Sequence, residues 1–171
     1  MKNLTIFLSS PNETGITMKF VVKFLGRNIL NSKKKLINFV YLYKKNIKPC
    51  YDCGFCTKYN LSCSIKSDDM YEIYNFLETS EILIFASPIY NFGFPAPLKL
   101  LLDRCQIYYH NKYRKKIFAS NRKAILLITG GSSNGIGIDI MEHQIHVICS
   151  LLGIKFLSFI CILGTDKIIK F

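Results

Sequence analysis

The chain has 171 residues, half of them hydrophobic, with 23 Lys and Arg against 11 Asp and Glu, a net charge of +12. That length suits one domain with a sizeable core, and no apolar run approaches the roughly 20 residues of a membrane-crossing helix. The basic residues are scattered (Lys33 to Lys35, Lys44-Lys45, Lys112 to Lys116, Lys123) and not interleaved with aromatics, so they read as a solvated surface that attracts anionic small molecules, not as a nucleic-acid module.

Residues 3–8 read as a first buried strand. The short apolar run from Met1 to Leu8 is followed at once by Ser9-Ser10-Pro11, which is not the pattern of a signal peptide. A cytoplasmic, reducing compartment and no membrane association are expected. The next loop, Ser9 to Thr17, offers the hydroxyls of Ser10, Thr14 and Thr17, the amide of Asn12 and free backbone N–H groups at a helix start. That chemistry suits a phosphate dianion. An ordinary capped helix start fits the same residues, and neither a Walker loop nor a G-x-G-x-x-G fingerprint is present. Ile16, Phe20, Val21, Phe24 and Leu25 then recur at helical spacing. A second strand is expected at 36–42.

Four of the seven cysteines follow within fourteen residues: Cys50, Cys53, Cys56 and Cys63, spaced C-x2-C-x2-C-x6-C. Three thiolates two residues apart can face one small loop, and a fourth can close a cage around a cubane 4Fe–4S cluster. A zinc site and free redox-active thiols are the alternatives. Structural zinc favours two separated cysteine pairs, and no second pair occurs here. In a reducing compartment clustered cysteines point to metal or redox chemistry before disulfides.

Met70, Ile73, Tyr74 and Leu77 predict the next helix, with Ser67 as its cap and Asp68-Asp69 at its positive end. A third strand at 81–87 leads into Ser87-Pro88-Ile89-Tyr90-Asn91-Phe92-Gly93, a rigid loop with aromatic faces suited to a planar ring. A helix is expected over 95–110, a fourth strand at 123–129, then the glycine-rich turn Thr129-Gly130-Gly131-Ser132-Ser133-Asn134-Gly135. A helix over 138–152 and a strand at 154–162 complete the pattern. Cys105, Cys149 and Cys161 fall on apolar faces and read as small core residues. His110, His143 and His146 form no ligand pattern, and surface or capping roles are expected. Non-alternating strands separated by helices predict a parallel, doubly wound α/β sheet, with ligands beyond the carboxyl ends of the strands. No linker separates a second domain. Residues 1–171 read as one domain with a cysteine-rich insertion at about 48–66.

These features together resemble the NAD(P)H-dependent FMN reductases of the flavodoxin-like superfamily, and among them the iron–sulfur flavoproteins. The resemblance rests on Ser10-Pro11 through Gly15-x-Thr17, the cysteine cluster, and Ile65-Lys66-x-Asp68-Asp69-Met70. Ser87-Pro88-Ile89-Tyr90, Lys99 with Asp103-Arg104, and Thr129-Gly130-Gly131 complete it. It implies a flavodoxin-like five-stranded sheet of order 2-1-3-4-5. Ser10, Asn12, Thr14, Ile16 and Thr17 would hold the FMN phosphate. Pro88, Ile89, Tyr90, Asn91 and Gly93 would cradle the isoalloxazine, with Thr129, Gly130 and Gly131 alongside. Two departures stand out. Ile16 replaces a polar residue of the family loop, and the final helix of relatives is short or missing here.

The expected activity is electron transfer through FMN and a 4Fe–4S cluster between NAD(P)H or a ferredoxin-type donor and an acceptor, with no side chain as an indispensable acid or base. A cluster-free NAD(P)H:FMN or quinone reductase is the alternative within the class, and a non-enzymatic electron carrier docking on protein partners the alternative outside it. A zinc-bearing nucleic-acid module is a more distant reading. Apolar residues near the C-terminus (Phe156, Phe159, Ile168, Ile169, Phe171) and an aromatic cluster of Phe92, Phe94, Tyr108 and Tyr109 suggest a homodimer or homotetramer.

Overall fold

The computed structural model describes residues 2–30, 35–59, 62–109 and 121–167. Five strands form one sheet: β1 (Lys2–Leu8), β2 (Lys35–Tyr41), β3 (Ile82–Pro88), β4 (Lys123–Thr129) and β5 (Lys155–Ile162). All neighbours pair in parallel, and the order is β2-β1-β3-β4-β5. The expected flavodoxin-like topology is therefore the observed one.

The helices are α1 (Ile16–Leu30), α2 (Phe55–Lys58), α3 (Met70–Thr79), α4 (Ala96–Arg104), α5 (Gln106–Tyr109) and α6 (Ile138–Leu151). Strand residues alternate between two cores. Leu4, Ile6 and Leu8 pack with Ile84, Ala86 and Leu127 against Phe20, Val21 and Leu25 of α1. Phe7, Leu83, Phe85, Leu126 and Ile128 face α3, α4, α5 and α6 on the other side. Strand β3 is central, and Leu83 to Ser87 are all buried, which is why its sequence shows an unbroken apolar run. Strand β5 lies at the edge. Phe156 and Phe159, expected to be apolar surface open to a partner subunit, instead pack against the larger core, because they face the helices; Leu157 and Ile160 are the exposed residues of this strand.

Three further expectations need correction. Ser67 does not cap α3: Asp69 is the N-cap residue, and the Met70 N–H donates to the Asp68 carboxylate at 3.2 Å. Ser67 instead accepts from Lys48 Nζ at 3.0 Å. The helix expected over 95–110 ends at Arg104 and resumes at Gln106. The Cys105 N–H bonds to Leu102 rather than continuing the α pattern, so the chain turns there. Tyr108 does not join an exposed aromatic cluster. It is fully buried, stands edge-on to Tyr74 with ring centroids 5.9 Å apart, and donates its hydroxyl to Glu78 at 2.8 Å. A buried phenol needs such a partner.

Candidate functional site

The loops after β1, β3 and β4 meet at the carboxyl edge of the sheet. The Ser9 hydroxyl donates to Ser87 Oγ at 2.9 Å, and the Thr17 and Thr129 hydroxyls lie 2.8 Å apart. The Ile89 N–H bonds to the Thr129 carbonyl at 2.9 Å. All four of these side-chain hydroxyls belong to buried residues, so the three loops are tied at their roots while their tips stay open.

In the first loop Asn12 acts as the organiser. Its Oδ1 accepts from the Thr14 N–H at 3.0 Å and the Thr14 hydroxyl at 3.1 Å. Its carbonyl accepts from the Gly15 N–H at 3.3 Å, and its own N–H donates to Ser10 Oγ at 3.3 Å. These bonds wrap the loop around the start of α1. The first N–H groups of any helix lack intrahelical acceptors and favour an anion. Ser10 and Thr17 are buried, Ile16 is half-buried, and Asn12 and Thr14 are exposed.

The second loop is a tight turn. Tyr90 and Gly93 exchange two backbone hydrogen bonds of 3.0 Å, with Asn91 at φ 48 and Phe92 at φ 62 between them. Two successive positive φ values define a type I′ geometry, tolerable for Asn but costly for Phe. Phe92 and Tyr90 are thereby held outward, 59% and 45% exposed. Gly137, at φ 95, lies directly beneath; a Cβ there would overlap the Phe92 carbonyl.

The third loop supplies bare backbone. A Cβ at Gly130 would press on Leu163 and Ile89, and one at Gly131 would meet the Asp166 carboxylate. Together the second and third loops enclose a cavity of about 220 Å³ lined by Ile89, Asn91, Phe92, Gly130, Gly131, Ser132, Asn134, Gly135 and Ile136. A cradle with glycine backbone on one wall and Phe92 on the other fits the edge and face of a planar ring. Pro88 and Thr129 support it from the strand ends, Tyr90 and Gly93 form the turn, and the hydroxyl of Thr129 is engaged with Thr17. Ser132, Asn134 and Gly135 were marked by sequence only through the glycine-rich turn that holds them, and the lining residue Ile136 was not marked at all.

The cysteine segment lies between β2 and α3. Its two feet are joined: the Asn46 N–H donates to Asp69 Oδ2 at 2.7 Å, the Asp69 N–H to the Asn46 carbonyl at 2.9 Å, and the Lys48 N–H to Asp68 Oδ2 at 3.0 Å. Left-handed Asp52 (φ 48) and Gly54 (φ 68) turn the chain into α2. Cys50, Cys53, Cys56 and Cys63 are free thiols that line one cleft. Cys50 and Cys53 are exposed, Cys56 and Cys63 half-buried. Ser64 Oγ lies 3.2 Å from Cys53 Sγ; that bond, aided by backbone N–H groups, lowers the Cys53 pKa. Burial raises that of Cys56.

Among the described residues no three His, Cys, Asp or Glu side chains converge as they would around one metal ion. Arg104 also lines this cleft. It is 1% exposed, and its buried Nε has no hydrogen-bond partner among the described residues. A buried, unsatisfied cationic donor beside four thiols fits an anionic occupant.

Cys105 and Cys149 are buried, and burial raises both thiol pKa values, that of Cys149 to about 12. Cys161 is half-buried and packs on the larger core. His143 and His146 are exposed, with His146 edge-on to Phe156 at 6.1 Å. His110, Ile168, Ile169 and Phe171 lie outside the described residues.

Comparison with known proteins agrees with the fold. A family model described as NADPH-dependent FMN reductase matches residues 1–159. An iron–sulfur flavoprotein of Archaeoglobus fulgidus is 33% identical over 110 residues, 64% of this chain and 53% of that protein. One from Methanosarcina thermophila is 37% identical over 97 residues, 56% of this chain and 47% of that protein. The chain thus spans about half the length of these relatives. An FMN-dependent NADH-azoreductase of Bacillus anthracis, solved in complex with FMN, superposes with a TM-score of 0.70 at 18% identity, covering 96% of this chain and 88% of its own. At that identity the likeness speaks for the fold.

Proposed function

Since this chain belongs to the NADPH-dependent FMN reductase family, we propose that it is an FMN-dependent oxidoreductase of the iron–sulfur flavoprotein kind, passing electrons between NAD(P)H or a ferredoxin-type donor and an acceptor. The observation that supports this most is the cradle. Three loops tied by Ser9–Ser87 and Thr17–Thr129 bonds present a helix start on one side and a cavity of about 220 Å³ on the other. One site takes a phosphate and the other a ring.

In this reading Ser10, Thr14, Thr17 and the N–H groups opening α1 bind the phosphate, while Asn12 shapes the loop. Ile16 contributes its backbone N–H only. Pro88, Ile89, Tyr90, Asn91 and Gly93 orient the ring, and Thr129, Gly130 and Gly131 line its edge. FMN supplies hydride acceptance and single-electron release. The residues around it bind, orient and exclude water, and no side chain acts as an indispensable proton donor. Cys50, Cys53, Cys56 and Cys63 would hold a 4Fe–4S cluster, which exchanges one electron at a time.

Acid release and chromatography of the bound flavin test the first part; FMN is expected, and FAD, or no flavin after reconstitution with FMN, refutes it. Anaerobic preparation with iron and sulfide analysis tests the second. Cys53→Ser should abolish the broad visible absorbance and leave flavin binding intact. Full flavin without iron would instead identify a cluster-free NAD(P)H:FMN or quinone reductase. A flavin that NAD(P)H does not reduce would identify a carrier docking on protein partners. The exposed Leu157 and Ile160 of β5 favour a homodimer or homotetramer, and light scattering showing a flavin-saturated monomer at micromolar concentration would rule that out.

A further inference from the structure

Arg104 sits at the end of α4, on the side of the helix that Leu101 and Cys105 share with the core, and it is 1% exposed. A guanidinium buried in a core needs a counter-charge and acceptors for its donors. Here its contacts all go to one segment. Nη1 donates to the Lys48 carbonyl at 2.9 Å and to Asp68 Oδ2 at 2.5 Å. Nη2 donates to Cys63 Sγ at 3.4 Å. Asp68, itself 1% exposed at its side chain, also receives the Lys48 and Met70 N–H groups. Tyr74 of α3 donates to the Arg104 carbonyl at 2.9 Å. One side chain on the flavin-binding domain therefore grips the cysteine segment just before Cys50 and at and after Cys63.

We propose that Arg104 is the positioning residue of the cysteine segment: it clasps both ends of the segment to α4 and donates a hydrogen bond to the Cys63 sulfur. The proposal rests on the iron–sulfur reading of the four cysteines. Arg suits the task because its planar fork serves several acceptors at once and it keeps its charge when buried. The ion pair with the equally buried Asp68 carboxylate compensates that charge. A hydrogen bond to a ligand sulfur stabilises the more negative, reduced state of a cluster and raises its potential. Lysine at this position would retain a charge but could not reach Lys48, Asp68 and Cys63 together.

The test compares wild type with Arg104→Lys, with Lys99→Gln as an exposed control on the same helix. Amide hydrogen exchange on the cluster-free protein should rise at least tenfold across 47–58 and 62–67 in Arg104→Lys, with β1, β3 and β4 unchanged. In anaerobically loaded protein, the one-electron midpoint should fall by at least 59 mV, a tenfold change in the reduced-to-oxidised ratio. Lys99→Gln should move neither. Wild-type exchange in Arg104→Lys overturns the proposal, and so does an unmoved midpoint in a variant that loads iron. Should Arg104→Lys fail to fold, Asp68→Asn carries the same expectation for exchange. If wild type takes up no iron, the iron–sulfur reading fails by itself, and the exchange experiment alone decides the clasp.

Discussion

At the scale of single residues, burial governs the titrating groups. The Cys149 thiol is pushed up to about 12 from 9.0 by desolvation, partly countered by Arg122. The folded protein therefore holds this proton more tightly than the unfolded chain. Its contribution to stability is complete below pH 9 and is lost as pH climbs from 9 toward 12. Denaturant titrations across that window should show a falling stability, and Cys149→Ala should remove up to one proton's share of the slope, about 1.4 kcal/mol per pH unit. That Cys149 is a core residue was legible from its place in the pattern of Met141, Ile145 and Ile148. Arg104 was legible only as part of a motif. Its spacing from Leu101 places a charge on a buried helix face, a usable signal, but its partners at positions 48, 63 and 68 come from contacts distant in sequence.

At the scale of elements, the turn Tyr90–Gly93 carries measurable strain. Phe92 occupies a left-handed position where glycine is favoured, a cost of about 1–2 kcal/mol. Phe92→Gly should raise the stability of the flavin-free protein by about 1 kcal/mol in chemical denaturation. It should also weaken flavin binding, because the aromatic wall of the cavity is lost. An unchanged flavin affinity would separate Phe92 from the cradle. All five strands were readable to within a residue or so: β1, β3 and β4 lie inside the sheet and are largely buried on both faces, which leaves unbroken apolar runs, and the edge strands β2 and β5 keep apolar runs although they are less buried. Boundaries set by local hydrogen bonds were less readable. The break at Cys105 and the exchange of Ser67 for Asp68 at the head of α3 both depend on which polar group reaches the backbone first.

At the scale of the molecule, the loop proposed for the phosphate and the cavity proposed for the ring belong to different elements and should contribute separately. FMN at one hundred times its dissociation constant should stabilise the protein by about 2.7 kcal/mol. Riboflavin, which lacks the phosphate, should stabilise it far less at the same concentration in thermal melts. Equal stabilisation would show that the loop from Ser10 to Thr17 contributes nothing. Sequence placed these loops at the ends of three strands. It could not show that Ser9 meets Ser87, or that Thr17 meets Thr129, since those pairs exist only once the strand order is set.

The joined feet of the cysteine segment have a consequence for how the molecule can be taken apart. Asn46 and Asp69 bond reciprocally, so the chain between them is a detour that leaves and re-enters at one point. Replacing residues 49–66 with a few glycines should leave the sheet order intact, and the shorter detour would recover about 1–2 kcal/mol of closure entropy. Part of that gain is offset by the lost packing of Cys56 and Cys63 on the core. Such a trimmed chain should still bind flavin and show no iron-dependent absorbance. With that outcome the segment is a cassette, separable from its host and open to exchange for one of different length or ligand set, provided the replacement ends on the same two feet.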